Sequence, residues 1–426
     1  MTQRHGATIS PKRHGGPWSR QGFRLLLIGE TTSKLGTNVT SILLPLVAIS
    51  ALDASPLVIG VLTAAPWLPW LMIGLPAGAW VDRLPRRTVM LCCNAVSATS
   101  LATVPAAAWT GLLSTWQLLT VALVNGVCSV FFSTACSAYL PSLIDKADLM
   151  EGNAKLQGAE QVTRVAGPSA GGLLAQAVGS ATGLLVDVLS FVVSSLCLLL
   201  VRNAEPRPAR RVNTTLLRDM AEGLRFVTRD PYVRTLTLFG AALNLALAGY
   251  QAVLLVFLVR TVEAGPGLVG LLVSCGGVGG ILGGLVSSRI PRRLGTARGL
   301  LTVQLVTAPF ALLIPLADEG PRLALFVLGS TVMTAGIVAS NVIIVSFRQS
   351  YCPPEMLGRV TSSALFVNFG TIPVGALAGS TLATVLGLRP TMWVLCTGIC
   401  ATSGLLQSGP LRRVRDLPRA AVPVHD

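Results

Sequence analysis

Charge is the first thing this chain is short of. Asp, Glu, Lys and Arg make up 12% of its 426 residues, while 52% are hydrophobic. A soluble domain carries about 25% charged residues, so too little polar surface remains to coat a globule of this length, and lipid is the implied solvent. Histidine is nearly missing: His5, His14 and His425 all fall in the tails, which excludes an imidazole proton carrier or metal ligand inside any apolar segment. Nine cysteines show no paired C-x-x-C spacing, and all but Cys352 sit in apolar runs. That excludes a zinc site and a disulfide framework, and the thiols read as small buried hydrophobes. Aromatics are 5% of the chain. The net charge of +15 therefore comes without the basic face and stacking residues of a nucleic-acid binder. Six glycines between Gly276 and Gly284 follow no strand, so they do not form a nucleotide loop, and direct ATP drive is excluded. Their spacing at Gly276, Gly280 and Gly284 predicts a small-residue ridge for helix packing.

What is abundant is long apolar runs. A membrane span needs about 20 mostly apolar residues, and twelve candidates emerge, at about 23–51, 56–81, 88–109, 114–139, 155–178, 181–201, 233–259, 267–288, 298–317, 322–347, 358–386 and 389–408. The fold class expected is an all-α integral membrane protein of two six-helix bundles. The first run is long, broken by Glu30 and Lys34, and lacks a small-residue cleavage site, so it reads as an uncleaved span. The expected layout is an arm at 1–22, a bundle at 23–201, a linker at 202–232, a second bundle at 233–408 and a tail at 409–426.

Loops on the side of the termini carry Arg83, Arg86, Arg87, Arg289, Arg292, Arg293, Arg298 and Arg359. Those on the other side have only Arg260, Arg322 and Arg389. This Lys/Arg bias predicts a multi-pass plasma-membrane protein with both termini in the cytoplasm. In the linker, Leu216, Leu217, Met220, Leu224 and Val227 recur at helical spacing among charges. That predicts a short amphipathic helix at the membrane surface, against the alternative of a disordered tether.

The two halves repeat. Gly78-x-x-x-Asp82-Arg83-x-Pro85-Arg86-Arg87 returns as Gly284-x-x-x-Ser288-Arg289-x-Pro291-Arg292-Arg293, each closing the second span of its half. The same spans open alike, with Ala54-x-Pro56-x-x-x-Gly60 against Ala264-x-Pro266-x-x-x-Gly270. Parallel six-helix repeats with a site between them are a known transporter plan. With its twelve runs, the Gly78 motif resembles the loop signature of the major facilitator superfamily. That resemblance implies a conformational latch made of Gly78, Asp82, Arg83, Arg86 and Arg87 against the eleventh span, with Arg359 as its ion-pair partner. The alternative reading is that the arginines only set topology. Ser288 in place of the acid implies a weak second latch. Arg164-x-x-Gly167-Pro168-x-x-Gly171-Gly172 resembles, in part, the antiporter motif of the same superfamily; the alternative is a packing kink.

Charge inside a span costs roughly 2.5–3.5 kcal/mol on insertion scales and usually serves a pathway or a partner. Glu30 and Lys34 stand at i,i+4, as do Glu160 and Arg164, and Asp187 stands alone. Either each pair neutralises itself and fixes helix rotation, or one of Glu30, Glu160 and Asp187 exchanges a proton as substrate binds. Glu30 is placed first because the first span lines the cavity in the resembled fold.

Together with Ser33-x-x-Gly36 and Pro354-Glu355-x-x-Gly358-Arg359, these features are most similar to the drug and metabolite exporters of the superfamily, including macrolide-efflux and enterobactin-exporter relatives. The implied activity is export of a small amphipathic molecule by proton antiport, with no enzymatic step and no cofactor or metal. The partners implied are the small-molecule substrate, protons and the bilayer, for a monomeric protein. Asn38, Trp67, Trp70, Asn125, Phe131, Phe132, Asn244 and Asn341 are the expected cavity residues. Uptake or facilitated diffusion of a metabolite, and a non-transporting receptor or scaffold, are the alternatives.

Overall fold

The computed structural model describes residues 20–81, 83–145, 148–201, 216–287 and 289–418. The first half contains α1 (Gln21–Leu52), α2 (Pro56–Ala64) and its continuation α3 (Leu68–Val81), α4 (Arg86–Thr110), α5 (Thr115–Tyr139), α6 (Leu149–Val178), the single turn α7 (Ser180–Gly183) and α8 (Leu185–Leu200). The short α9 (Leu216–Arg229) follows. The second half contains α10 (Pro231–Arg260), α11 (Pro266–Ser287), α12 (Arg289–Leu294), α13 (Thr296–Thr307), α14 (Leu323–Tyr351), α15 (Pro354–Leu386) and α16 (Leu388–Ser408); a 3-10 stretch at Ala308–Leu316 prolongs α13. Residues 20 and 409–418 lie at the terminal end of the bundle, and the opposite end is the distal end.

Among the described residues, ten helices are long and apolar enough to cross a membrane. The expected fifth and twelfth spans, α6 and α16, fall outside the ten. At 30 residues, α6 is about 45 Å long, but Glu151, Lys155, Glu160 and Arg164 dilute its apolar content. It packs between α1 and α11, and α16 packs against α10. Helix α6 also begins at Leu149 rather than near 155, because its charged first turns project past the apolar part.

Local chemistry sets the helix ends. Pro56 and Pro231 occupy first-turn positions, where the missing N–H costs nothing. Asp230 caps α10 by accepting from Tyr232 N at 3.0 Å and Val233 N at 2.8 Å, and Tyr351 Oη donates to its other oxygen at 2.6 Å. The amphipathic segment of the linker is indeed helical, as α9, and lies on the start of α15. Val227 is buried, Glu222 Oε2 accepts from Arg359 Nη1 at 2.5 Å, and Cβ on Gly223 would run into the Arg359 carbonyl. At the terminal end of the first half, Phe23, Leu26, Met90, Tyr139, Leu143 and Leu198 close a separate apolar cluster.

The tightest contacts of the α11 glycine ridge lie one position from those expected. Gly279 and Gly283 are the residues on which α14 rides, because Cβ atoms there would overlap the Thr331 and Ala335 carbonyls. Cβ atoms on Gly276 and Gly280 would make ordinary contact, at 3.5 Å, with Thr334 and Val338 of α14, and Gly284 has no neighbour within 4 Å among the described residues.

Candidate functional site: the contact between the halves and the charges beside it

The repeated Ala-x-Pro-x-x-x-Gly segment builds the same loop twice. Asp53 and Glu263 both take positive φ, 44° and 54°. Ala54 N donates to Ala48 O at 3.0 Å, and Ala264 N donates to Leu258 O at 2.9 Å. The glycine that ends each segment then meets the other half. A Cβ on Gly60 of α2 would overlap Ser380 of α15 and press the Ala376 carbonyl at 3.0 Å. A Cβ on Gly270 of α11 would overlap the Pro168 carbonyl of α6 and lie 2.8 Å from Gly172 Cα. In both crossings the obstacle is one residue together with the carbonyl four positions before it. The halves therefore touch backbone to backbone at two symmetry-related points, a distance of approach that only small residues allow.

Other contacts extend this seam inward from the distal end. Arg260 Nη2 pairs with Asp53 Oδ1 at 2.5 Å and donates to Ala54 O at 3.1 Å. Ser169 Oγ donates to Ser274 Oγ at 2.7 Å. Gly277 meets Val165, about 17 Å from the start of α11 at helical rise. Trp67 and Trp70 of the first half meet Phe369 of α15, with ring centroids 5.6 and 6.3 Å apart. These contacts between the halves, among the described residues, run from the distal end to mid-helix. The distal end is closed.

The intramembrane charges lie on α1, α6 and α8. Glu30 Oε1 is 3.9 Å from Lys34 Nζ, a long pair, and Glu30 Oε2 is buried with no hydrogen-bond partner among the described residues. Glu160 pairs with Arg164 at 3.4 Å and lies within electrostatic reach of Glu30. Asn38 joins the two helices by donating to Thr163 Oγ1 at 3.3 Å, and Gly167 sits against it with no room for a methyl. The structure thus brings Glu30, Lys34, Glu160 and Arg164 into one cluster. Of the antiporter-like motif, Gly167 and Gly171 pack on α1, while Pro168 and Gly172 form the crossing with α11.

Asp187 stands apart from that cluster. It is 2% exposed, and Thr40 Oγ1 and Ser190 Oγ donate to its two oxygens at 2.6 and 2.8 Å. Gly36 of α1 lies directly against it, so Asp187 ties α8 to α1. A carboxylate held this way is costly to leave half-satisfied. Asp187→Asn is expected to lower stability by about 1–3 kcal/mol, read as a lower midpoint in detergent thermal unfolding.

The remaining candidates are dispersed. Asn125 donates to Ser100 Oγ at 3.3 Å and to Val121 O at 2.9 Å, joining α4 to α5. Phe131 stacks on Trp80 at 5.9 Å, Phe132 and Asn244 are half-buried, and Asn341 is exposed. Arg87 donates to the Leu198 and Leu199 carbonyls at 2.9 and 2.8 Å, capping the C-terminus of α8. Arg83 is exposed and Arg86 half-buried, and Arg359 is engaged by Glu222. Gly78 lies within α3; Asp82 and Ser288 lie outside the described residues. Sequence reasoning missed Asp53, Arg260, Phe369 and Ser380. The only signal for them was the repeat that aligns Gly60 with Gly270.

Comparison with known proteins matches residues 14–422 to a family described as transmembrane secretion effector. The multidrug efflux pump Tap of Mycolicibacterium fortuitum is 28% identical over 386 residues, covering 87% of this chain and 91% of its own. Macrolide efflux protein A of Streptococcus pyogenes is 22% identical, covering 84% of this chain and 89% of its own. Among solved structures, the nucleoside transporter NupG superposes with a TM-score of 0.77 at 13% identity, covering 91% of this chain and 99% of its own. A bacterial homologue of the iron transporter ferroportin scores 0.74 in an inward-facing state, at 17% identity over 91% of this chain and 98% of its own. An outward-facing structure of such a homologue scores 0.59. These likenesses concern the fold alone.

Proposed function

Because this chain belongs to the transmembrane secretion effector family of the major facilitator superfamily, we propose that it exports a small amphipathic drug or metabolite by proton antiport. It is a multi-pass membrane transporter and not an enzyme. The observation that carries the mechanism is the closed distal seam. Two six-helix halves joined along half their length can rock about the midplane, and a substrate held there meets one side at a time. The Lys/Arg bias of the loops makes the terminal end cytoplasmic. The state described is then inward-facing, in keeping with the higher similarity to the inward-facing ferroportin homologue. The efflux pumps among the relatives support the outward direction.

Within this reading Glu30 takes the proton, since a buried carboxylate oxygen without a donor bears a cost that protonation removes. Lys34, Glu160 and Arg164 surround it. Asp82 with Gly78, Arg83, Arg86 and Arg87 is the latch of the opposite state, formed when the terminal end closes on α15 and Arg359. Purified protein in vesicles tests the reading. A planar cationic dye should leave the compartment facing the terminal end when a pH gradient is imposed, and extrusion should stop when an ionophore collapses the gradient. Accumulation in place of extrusion, or flux indifferent to the gradient, would sink proton-coupled export.

A further inference from the structure

We infer that the Asp53–Arg260 ion pair is a lock for the distal end, holding the two halves together in this state and parting when that end opens. Asp53 ends α1 and Arg260 ends α10, so the pair joins the two halves at their outermost turn. Arg260 does more than meet a charge. Its Nη2 reaches both the Asp53 carboxylate and the Ala54 carbonyl, gripping the loop that leads into α2. Six residues on, Gly60 makes its crossing with Ser380. Grip and crossing therefore bear on one short segment, and separating the halves at the distal end must break both.

The repeat shows that the lock is one-sided. Asp53 corresponds to Glu263, and both acids sit in the left-handed region at equivalent turns. Arg260 corresponds to Ser50, so the reciprocal pair cannot form. The backbone geometry of the loop is duplicated, and the cation is not. The same asymmetry marks the terminal end, where Asp82 is matched by Ser288. Each end of the molecule thus has one charged position, Arg260 or Asp82, that the repeat does not duplicate. The Asp53 side chain is 94% exposed and that of Arg260 31%, so the pair is screened by water and salt. Its effect is a bias on an equilibrium that the glycine crossings also hold.

The inference rests on the two-state cycle and not on proton coupling or export direction, and its test uses neither substrate nor gradient. Hydrogen exchange of the intact protein in lipid nanodiscs is followed at residues 50–62 and 258–272. Asp53→Asn keeps a side chain that tolerates positive φ, and Arg260→Gln removes the cation. Each should raise exchange in both segments about two- to fivefold. The double variant should exchange no faster than either single, as members of one pair do. Arg260→Lys should stay near wild type, and 1 M salt should bring wild type to the level of the singles. Exchange in the middle of α4, away from both ends, should not change, which separates release of the lock from loss of fold. Single variants that exchange like wild type, or a double variant in which the two effects add, would overturn the lock.

Discussion

Gly60→Ala is expected to cut transport by about tenfold or more while the protein still inserts and purifies as a monodisperse species. A forced methyl in a packed contact costs roughly 1–3 kcal/mol, and each 1.4 kcal/mol is about a factor of ten. Here the added carbon meets the Oγ and Cβ of Ser380. It falls on the seam between the halves, so the strain bears on distal closure and leaves the core of either half untouched. Ser380→Gly removes both obstructing atoms and leaves the Ala376 carbonyl at 3.0 Å. The double variant Gly60→Ala with Ser380→Gly should therefore recover most of the lost flux, less the helix cost of a new glycine, about 1 kcal/mol.

The symmetry-related site should behave differently. The obstacle to a methyl on Gly270 is the Pro168 carbonyl together with Gly172 Cα, and no side-chain trimming removes either. Gly270→Ala should lose transport as severely as Gly60→Ala and find no suppressor at Gly172. Initial-rate dye flux with protein level held equal would check both. A Gly60→Ala variant with wild-type flux, or a Gly60→Ala loss unaffected by Ser380→Gly, would show that the crossing does not limit the cycle.

This pair of outcomes also shows where the sequence stopped being readable. The repeat aligned Gly60 with Gly270, but a repeat names equivalent positions and not the partners they touch. Ser380 lies 320 positions from Gly60 in the numbering, and nothing local to either residue pairs them. Asp53 with Arg260, and Thr40 with Asp187, are the same case, long-range contacts fixed only once the helices have crossed. Patterns carried by one helix were legible: the apolar runs, the amphipathic α9, and the i,i+4 pairs Glu30–Lys34 and Glu160–Arg164. The tightest glycines of α11 were placed one position off because Gly276, Gly279, Gly280 and Gly283 crowd one side of the helix. Rotation about the helix axis, set by α6 on one side and α14 on the other, decides which face packs.

Glu30→Gln is expected to abolish the dependence of flux on the pH gradient. The amide keeps the size of the side chain and resembles the protonated acid, so the buried Oε2 position no longer alternates between charged and neutral. Net extrusion against a concentration gradient should fall by an order of magnitude or more, toward the leak of empty vesicles. Exchange of labelled for unlabelled substrate, which needs no net proton movement, should persist. Glu160→Gln should act more weakly. Glu160 is already paired at 3.4 Å with Arg164, whose side chain is 63% exposed, so losing its charge leaves a partner that water can still solvate. Lys34→Met removes the cation 3.9 Å from Glu30. This variant should displace the pH profile of export, with the maximal rate less affected. The three variants together separate a proton site from a structural pair. A structural role predicts equal loss of exchange and net export in all three, whereas a proton site predicts loss of net export alone for Glu30→Gln and a displaced profile for Lys34→Met.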